Sequence, residues 1–248
     1  MKLGMPIAKG NTAEIYLQDN KIIKLFNDSL PHNEAKSEAN KQMLAYSLGL
    51  PVPKIVDVTV INGKQAIIME YISGNTFGDI VSENMDKAEY YMSKSIDIQR
   101  KLHSMHADSL EPMKGKLRRQ IEQVDILEKR YKEPFLHKLD SFRYENRLCH
   151  GDYHLFNLIN SDNKVTIIDW IDSSSGDIRA DVCRSYLLYS EVSRDLAEMY
   201  LKLYCIKSGL TEEEIVQWMP IIAGARLSEY PSKEKTEYLL DIVVQYCS

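Results

Sequence analysis

The hydrophobic pattern of the chain changes its period near Tyr71. Before that point, short apolar runs alternate with polar residues and are broken by turn residues, which predicts antiparallel strands. Beyond it, apolar residues recur mostly every three or four positions, which predicts helices. We therefore predict an α+β fold with two lobes. A small antiparallel sheet with one helix occupies residues 1–70, and a larger, mainly helical lobe occupies residues 71–248.

In the first lobe, Asn62-Gly63 lies between two apolar runs and is the strongest short hairpin signal that a sequence offers. A helix is predicted over residues 33–48, ending before Gly49. The helical stripe that predicts it consists of Ala35, Ala39, Met43 and Tyr46. The strands predicted in this lobe are Ala13–Leu17, Lys21–Phe26, Val56–Ile61 and Lys64–Glu70.

The second lobe is predicted to be helical except for residues 148–170. There, short apolar runs are interrupted by polar turns, which predicts a loop followed by a hairpin. The predicted helices are Met85–His106, Met113–Arg130, Ala180–Ser190, Asp195–Lys207, Thr211–Ala225 and Lys233–Tyr246.

The segment 148–170, LCHGDYHLFNLINSDNKVTIIDW, contains the residues that indicate chemistry. Asn157 follows Asp152 by five positions, and Asp169 follows Asn157 by twelve. Eukaryotic-type kinases have a catalytic Asp, a metal-binding Asn and a metal-binding Asp in this order. Amide and carboxylate oxygens are hard ligands of the kind that Mg²⁺ prefers. A turn at Ser161-Asp162-Asn163 is expected to bring Asn157 and Asp169 together. The HGD motif alone would indicate only a turn, but the Asn and the second Asp at this spacing favour the functional interpretation.

The segment resembles the aminoglycoside phosphotransferase family, whose relatives include choline and fructosamine kinases. His150-Gly151-Asp152 with His154 and Asn157 is similar to the HGDxHxxN signature, and Ile168-Asp169-Trp170 is similar to its IDW or IDF motif. The resemblance implies a two-lobed protein-kinase-like fold. It also implies that Asp152 is the catalytic base and that Asn157 and Asp169 bind Mg²⁺. The family often has Pro-Gly at the position of Leu155-Phe156, a departure that leaves the liganding groups unchanged.

The same resemblance implies a nucleotide site in the first lobe. Lys24 would contact the α- and β-phosphates of ATP or GTP. Glu38 would be its ion-pair partner, with Glu34 as the alternative one turn earlier. The loop that covers the phosphates would be Gly10, Asn11 and Thr12, and backbone groups of Glu70 and Ile72 would bind the purine edge.

Charge and composition exclude several classes of function. The chain has 31 basic and 36 acidic residues, a net charge of −5, so we expect no nucleic-acid partner. It has no apolar run long enough for a signal peptide or a membrane helix, so we expect a cytoplasmic protein without a membrane partner. Four cysteines are scattered without metal-like spacing and are expected to be reduced thiols. His103 and His106 have the spacing of a zinc pair but no evident third ligand, so we predict structural roles for both.

The best-supported interpretation is a small-molecule kinase that transfers the γ-phosphoryl of ATP or GTP to a hydroxyl. The acceptor is expected to be small and cationic or polar, such as an aminoglycoside or an amino-alcohol. This expectation rests on carboxylates that the resemblance places near the acceptor: Asp172, Asp177, Asp181, Glu229, Glu234, Glu237 and Asp241. An inactive pseudokinase that binds nucleotide is the alternative. A protein kinase is disfavoured because Gly151 replaces the Arg of HRD and Asp177 follows Asp169 by only eight positions. The sequence indicates neither the identity of the acceptor nor the oligomeric state.

Overall fold

The computed structural model of the chain describes residues 3–10, 12–162, 164–229 and 231–246. These residues divide into two compact units. The first unit comprises the described residues up to Glu83 together with Leu155–Asp172. The second comprises Asn84–His154 and the described residues from Ser173 onward.

Regular elements account for most of both units. The strands are β1 (Ala8–Lys9), β2 (Ala13–Gln18), β3 (Lys21–Phe26), β4 (Ile55–Ile61), β5 (Lys64–Glu70), β6 (Asn75–Thr76), β7 (Arg147–Cys149), β8 (Leu158–Ser161), β9 (Lys164–Ile167) and β10 (Ser174–Gly176). The helices are α1 (Glu34–Ser47), α2 (Phe77–Glu83), α3 (Ala88–His103), α4 (Met113–Gln123), α5 (Lys129–Ser141), α6 (Ile178–Ser190), α7 (Arg194–Ser208), α8 (Glu212–Val216), α9 (Met219–Arg226) and α10 (Lys233–Gln245). Short 3₁₀ turns cover Met85–Lys87, Leu155–Asn157 and Leu227–Glu229.

The larger sheet of the first unit is antiparallel, with strand order β1-β2-β3-β5-β4. The turn between β4 and β5 has φ values of 51° at Asn62 and 85° at Gly63, as a two-residue hairpin turn with positive φ requires. Asp19 and Asn20 also adopt positive φ between β2 and β3. The strands predicted from alternation are therefore present in the structure.

Helix α1 packs on this sheet through small and polar side chains. Ala35 and Ala39 join Phe26 and Ile67 in one buried cluster. The prediction placed Met43 and Tyr46 on the same stripe, but these side chains are exposed. The buried face of α1 instead runs through Glu38, Gln42 and Ala45, so two polar residues take core positions that periodicity assigned to apolar ones.

A second, smaller sheet completes the first unit, with strand order β6-β8-β9. Asn75 pairs with Asn160, and Leu158 pairs with Ile167 in the β8–β9 hairpin. The sequence marked residues 73–75 only as a junction and predicted neither β6 nor α2. The pairing of β6 with β8 joins residues more than eighty positions apart, which a local pattern cannot indicate.

In the second unit, two predicted helices are broken into shorter ones. The helix predicted over Met113–Arg130 ends at Gln123, and α5 follows after a short link that contains a turn. The sequence analysis predicted no helix over the rest of α5, which contains Pro134, a residue that removes a helical hydrogen bond. The helix predicted over Thr211–Ala225 divides into α8 and α9, and Pro220 stands in the first turn of α9, where proline is tolerated.

The apolar positions of these helices nevertheless form the core as their spacing indicated. Leu117, Ile121, Val124 and Leu127 are all buried, although Val124 and Leu127 lie beyond the end of α4. None of the described helices is both long and apolar enough to cross a lipid bilayer.

The two compact units differ from the predicted lobes at residues 71–83 and 155–172. Both segments belong to the first unit because β6, β8 and β9 form one sheet. The boundary of the functional lobes at residues 70 and 71 stays a prediction.

Candidate active site

The β8–β9 hairpin of the first unit carries both predicted metal ligands at its base. Asn157 ends the 3₁₀ turn before β8, and Asp169 lies two residues after β9. The backbone N–H of Ile168 donates to the carbonyl oxygen of Asn157 over 3.0 Å, so the two candidate ligands are neighbours. Asp162 of the predicted turn has a φ of 48°, and Asn163 lies outside the described residues.

Asp169 adopts a backbone conformation that few residues other than glycine adopt. Its φ is 64°, in the left-handed region, where a side chain costs about 1–2 kcal/mol. Such strain persists only where surrounding contacts outweigh it, and it is concentrated at functional sites. Part of the compensation comes from Lys24, whose Nζ donates to Asp169 Oδ1 over 2.8 Å.

Lys24 lies on β3 and is buried between two carboxylates. Its Nζ donates to Glu38 Oε1 over 2.7 Å and to Asp169 Oδ1 over 2.8 Å. Burial lowers the pKa of Lys24, but the charges of Glu38 and Asp169 outweigh burial and raise that pKa above its ordinary value. Lys24 is therefore a permanent cation. Glu34, the alternative partner, makes no ion pair within the described part of the chain.

Glu38 projects from α1 and is almost completely buried. Burial raises the pKa of Glu38, and the charge of Lys24 opposes the rise. Its Oε1 accepts from Lys24, whereas its Oε2 has no hydrogen-bond partner among the described residues. The adjacent Lys41 of α1 donates to the carbonyl oxygen of Ile171, so α1 also holds the segment after Asp169.

The other described residues of the predicted nucleotide site lie at or near the ends of strands. Gly10 and Thr12 flank the turn between β1 and β2, where Gly10 N–H donates to the carbonyl of Ala13 over 2.9 Å. Asn11 lies outside the described residues. Glu70 ends β5, and its N–H donates to the carbonyl of Lys54 over 2.9 Å. Glu70 can therefore offer a ligand only its carbonyl oxygen from the backbone.

Asp152 belongs to the second unit and lies in the loop after β7. His154 Nε2 is 3.4 Å from Asp152 Oδ2, and each side chain is about a quarter exposed, at 24%. Burial raises the pKa of Asp152, but His154, Arg184 and His150 outweigh burial and hold that pKa well below its usual range. Asp152 is thus an ionised carboxylate at neutral pH.

Helix α6 supports the loop after β7 that contains Asp152. Asp181 is buried, and its Oδ1 accepts the backbone N–H of Gly151 over 2.7 Å. Its Oδ2 lies 2.9 Å from His103 Nε2, and His103 Nδ1 lies 2.7 Å from the Tyr204 hydroxyl. Asp177 caps the N-terminus of α6 by accepting the N–H of Arg179. Asp181 therefore braces the loop, and Asp177 caps the helix.

His103, Cys149 and Asp181 lie close enough to one another to hold a metal ion. Two observations favour a hydrogen-bonded cluster instead. The Cys149 thiol donates to the carbonyl oxygen of Asp177 over 3.6 Å, and burial raises the pKa of Cys149 well above its ordinary value. Asp181 and His103 are also already bonded to each other and to Gly151 and Tyr204.

Comparison with known proteins identifies the family. Residues 4–216 match the sequence profile of APH, the phosphotransferase enzyme family. The chain belongs to this family. The Protein LicA homolog of Mycoplasma capricolum subsp. capricolum is 25% identical over 213 residues, which cover 81% of this chain and 79% of that protein.

Solved structures of phosphotransferases share the fold. A thermostable mutant of aminoglycoside phosphotransferase APH(4)-Ia, in ternary complex with AMP-PNP and hygromycin B, aligns with a TM-score of 0.72 at 9% identity, covering 98% of this chain and 92% of that one. The amicoumacin kinase hAmiN, in complex with AMP-PNP, Ca²⁺ and Ami, aligns with a TM-score of 0.64 at 13% identity, covering 98% and 87%. The predicted protein-kinase-like fold is confirmed.

The sequence analysis missed one side chain that contacts the residue before the candidate base Asp152. Arg184 of α6 donates through Nε to the carbonyl oxygen of Gly151, the residue before Asp152. A signal for it was present, because Arg184 follows Asp181 by three positions and so lies on the same face of the helix.

The second unit also contains a cavity of about 480 Å³. Its lining includes Arg100, His103, Arg147, Arg179 and Tyr204, but not Asp152. Two of the arginines are already paired, Arg147 with Glu145 and Arg179 with Asp177. The lining of this cavity therefore does not include the candidate base.

Proposed function

We propose that the chain is a small-molecule kinase that transfers the γ-phosphoryl group of ATP or GTP to a hydroxyl of a small cationic or polar acceptor. The observation that carries this proposal is the grouping in the first unit of Lys24, Glu38 and Asp169, with Asn157 beside Asp169. Phosphoryl transfer proceeds through a loose, highly charged transition state, so positioned charge is the main requirement for catalysis.

Lys24 is proposed to bind the α- and β-phosphates of the nucleotide. A lysine offers phosphate a compact charge with three donors, and two of the donors of Lys24 already point to Glu38 and Asp169. The ion pair with Glu38 fixes the side chain in one conformation before the nucleotide arrives. Less entropy is then lost on binding than for a mobile surface lysine.

Asn157 and Asp169 are proposed to hold Mg²⁺. Their donor atoms fit this ion, since an amide oxygen and a carboxylate oxygen are hard ligands and the remaining positions suit water and phosphate. The Asp169 side chain is 36% exposed, so its carboxylate is accessible. When bound, the ion would neutralise charge on the phosphates. Asp169 would then serve both Lys24 and the metal.

Asp152 is proposed to orient the acceptor hydroxyl and to receive its proton. Its low pKa makes it a weak base but keeps it ionised, so it is always ready to accept a hydrogen bond. A weak base suits a loose transition state, in which the hydroxyl proton is transferred late. His154 Nε2, 3.4 Å from the carboxylate, helps to hold its orientation.

The nucleotide base and phosphate loop are proposed to contact backbone groups. The carbonyl of Glu70 and the N–H of Ile72 would bind the purine edge, and the turn of Gly10, Asn11 and Thr12 would cover the phosphates. These assignments follow from the family resemblance, and in the structure Glu70 is the last residue of β5 and Gly10 follows β1.

A cationic or polar acceptor is proposed on chemical grounds. Hygromycin B, an aminoglycoside, is bound to APH(4)-Ia, which shares this fold. Several of the carboxylates that first suggested a cationic acceptor have partners inside the second unit: Asp177, Asp181 and Glu229. Glu234 and Asp241 of α10 make no ion pair in the part of the chain that the structure describes, and they are left to attract a cation.

A substrate screen tests the proposal. Turnover of ATP and of GTP is measured with Mg²⁺ against aminoglycosides, amino-alcohols, neutral sugars and phosphorylated compounds, with Asp152→Asn as the matched inactive control. We expect acceptor-dependent turnover with at least one cationic or polar hydroxyl compound, lost in the variant. Nucleotide binding without acceptor-dependent turnover would indicate a pseudokinase. Preference for an anionic acceptor would contradict the proposed substrate class.

A further inference from the structure

The backbone next to Asp152 is held at two points by one helix. Gly151 N–H donates to Asp181 Oδ1 over 2.7 Å, and Gly151 carbonyl oxygen accepts from Arg184 Nε. Asp181 and Arg184 project from the same face of α6. Gly151 has a φ of 82°, in the left-handed region, so the loop depends on these contacts to keep the direction in which Asp152 leaves the backbone.

Arg184 is itself fixed by an ion pair. Its Nη1 lies 2.5 Å from Glu229 Oε1, and its side chain is only 12% exposed. Glu229 lies in the 3₁₀ turn after α9, and its Oε2 is 3.5 Å from Arg226 Nε. A guanidinium can reach a carbonyl and a carboxylate at once because its donors diverge in a planar fork.

The ion pairs continue to the last helix. Arg226 pairs with Glu191, which ends α6, and Glu191 Oε2 lies 2.9 Å from Lys235 Nζ on α10. Arg226 and Glu191 are both buried, with side-chain exposures of 6% and 2%. Charges of alternating sign thus run from α10 to Arg184. Arg184, Arg226 and Glu191 are largely buried, and removing the partner of a buried charge leaves that charge uncompensated, so these residues act together.

We propose that Arg184 is a positioning residue for Asp152, and that Glu229 supports catalysis through Arg184. The guanidinium holds the Gly151 carbonyl, and the ion pair with Glu229 holds the guanidinium. This inference rests on the proposed function, because it assigns Arg184 a role in the use of Asp152. It concerns acceptor activation, so nucleotide binding is not expected to depend on it.

Steady-state kinetics of five variants test the proposal: Arg184→Gln, Arg184→Lys, Glu229→Gln, the Arg184→Gln/Glu229→Gln double variant and Arg194→Gln. The last is the control, because Arg194 forms an ion pair with Glu198 but is 88% exposed. We expect Arg184→Gln to lower kcat by about tenfold or more with both KM values within about twofold. Arg184→Lys should recover part of the loss, and Arg194→Gln should match the wild type.

The double variant separates coupling from independent effects. If Glu229 acts through Arg184, Glu229→Gln lowers kcat on its own but adds no further loss to Arg184→Gln. If the loss of kcat in the double variant equals the product of the two single losses, the coupling between Glu229 and Arg184 is overturned. A kcat for Arg184→Gln within about twofold of the Arg194→Gln value would overturn the role of Arg184. If Arg184→Gln does not fold, Arg184→Lys and Glu229→Gln make the same test.

Amide hydrogen exchange at Gly151 gives a readout that does not need the reaction. Loss of the Arg184 contact should speed exchange of the Gly151 N–H by about tenfold or more, whereas Arg194→Gln should leave it unchanged. An unchanged exchange rate of the Gly151 N–H in Arg184→Gln would overturn the proposal that Arg184 holds the Gly151 backbone. The Asp152→Asn variant distinguishes failure of the proposed function from failure of the role of Arg184. Full turnover in Asp152→Asn would show that Asp152 is not the base, whereas amide exchange at Gly151 would still report whether Arg184 holds the loop.

Discussion

At the scale of single residues, the most demanding feature of the first unit is a buried lysine. An isolated ammonium in the interior would lose several kcal/mol of hydration, and Lys24 is stable there because two carboxylates face it. The partners are unequal. Glu38 is buried and comes from α1, whereas Asp169 is partly exposed and lies two residues after β9 with a positive φ. Glu38 is thus suited to a structural role, and Asp169 to exchanging partners with a ligand.

Substitution of Lys24 and its neighbours tests this division of roles. Lys24→Ala should raise the nucleotide KM and lower kcat together, because the phosphates lose both charge and alignment. Glu38→Gln should have the same effect more weakly, since the amide still accepts a hydrogen bond from Lys24. Glu34→Gln is the matched control and should change little. Steady-state kinetics measure these changes. A larger loss of kcat in Glu34→Gln than in Glu38→Gln would contradict the pairing of Lys24 with Glu38.

Substitution of Asp152 tests the base. Asp152→Asn should lower kcat by about 10²-fold or more while nucleotide affinity stays near the wild-type value. The folded-state pKa of Asp152 is depressed, so the carboxylate is ionised above its ordinary pKa and protonated only as pH falls through the lower, folded value. The kcat/KM profile of the wild type should therefore show no titration of Asp152 between about pH 5 and pH 8. An acid limb in that window that disappears in Asp152→Asn would contradict the depressed pKa of Asp152, whereas near-wild-type kcat in Asp152→Asn would contradict its role as the base.

At the scale of elements, the small sheet positions the candidate metal ligands. The β8–β9 hairpin could be predicted, because its turn and its two apolar runs are local in the sequence. Strand β6 could not, because it consists of two residues and pairs with β8 across a long stretch of chain. The same limit applies to Arg184, whose partner Gly151 is far away in the sequence. Helix α5 was not predicted either: it contains Pro134, which disfavours a helix locally, and it buries Phe135 and Leu139.

Gly74 shows how closely β6 approaches the hairpin. It has a φ of 140°, and a Cβ atom there would lie 2.1 Å from the backbone oxygen of Asn160. Gly74→Ala should therefore lower the free energy of unfolding by about 2–3 kcal/mol, since the clash is with backbone. Gly63→Ala is the matched control, because its φ is 85° but the space around it is open, and it should cost about 1 kcal/mol. Chemical denaturation measures both, and equal losses would contradict the close approach.

At the scale of the whole molecule, the change of hydrophobic period near Tyr71 predicted the architecture correctly but not the path of the chain. After residues 84–154 of the second unit, the chain returns to the first unit at Leu155–Asp172. The segment with Asn157 and Asp169 therefore belongs to the same unit as Lys24 and Glu38. Such a return depends on long-range pairing, which periodicity does not encode. The four residues that we propose to hold the donor therefore share one compact unit, and Asp152 belongs to the other.

This division predicts which variants lose stabilisation by nucleotide. A ligand that binds only the folded state at 100 times its Kd stabilises that state by about 2.7 kcal/mol. Mg²⁺-nucleotide should raise the Tm of the wild type and of Asp152→Asn equally. The Tm of Asp169→Ala should not increase when Mg²⁺-nucleotide is added. The Tm of Asn157→Ala should increase by less than that of the wild type, since an amide contributes less charge than a carboxylate. An undiminished rise in Asp169→Ala would contradict the metal site.

The central claim is that the chain moves a phosphoryl group from a nucleotide to a small hydroxyl compound. The most direct measurement uses ATP or GTP labelled in the γ-phosphate and follows the label after incubation with Mg²⁺ and the best acceptor from the screen. We predict that the label appears in the acceptor, at a rate that falls about 10²-fold or more in Asp152→Asn. Label found only in inorganic phosphate, or retained in the nucleotide with every acceptor, would contradict the account.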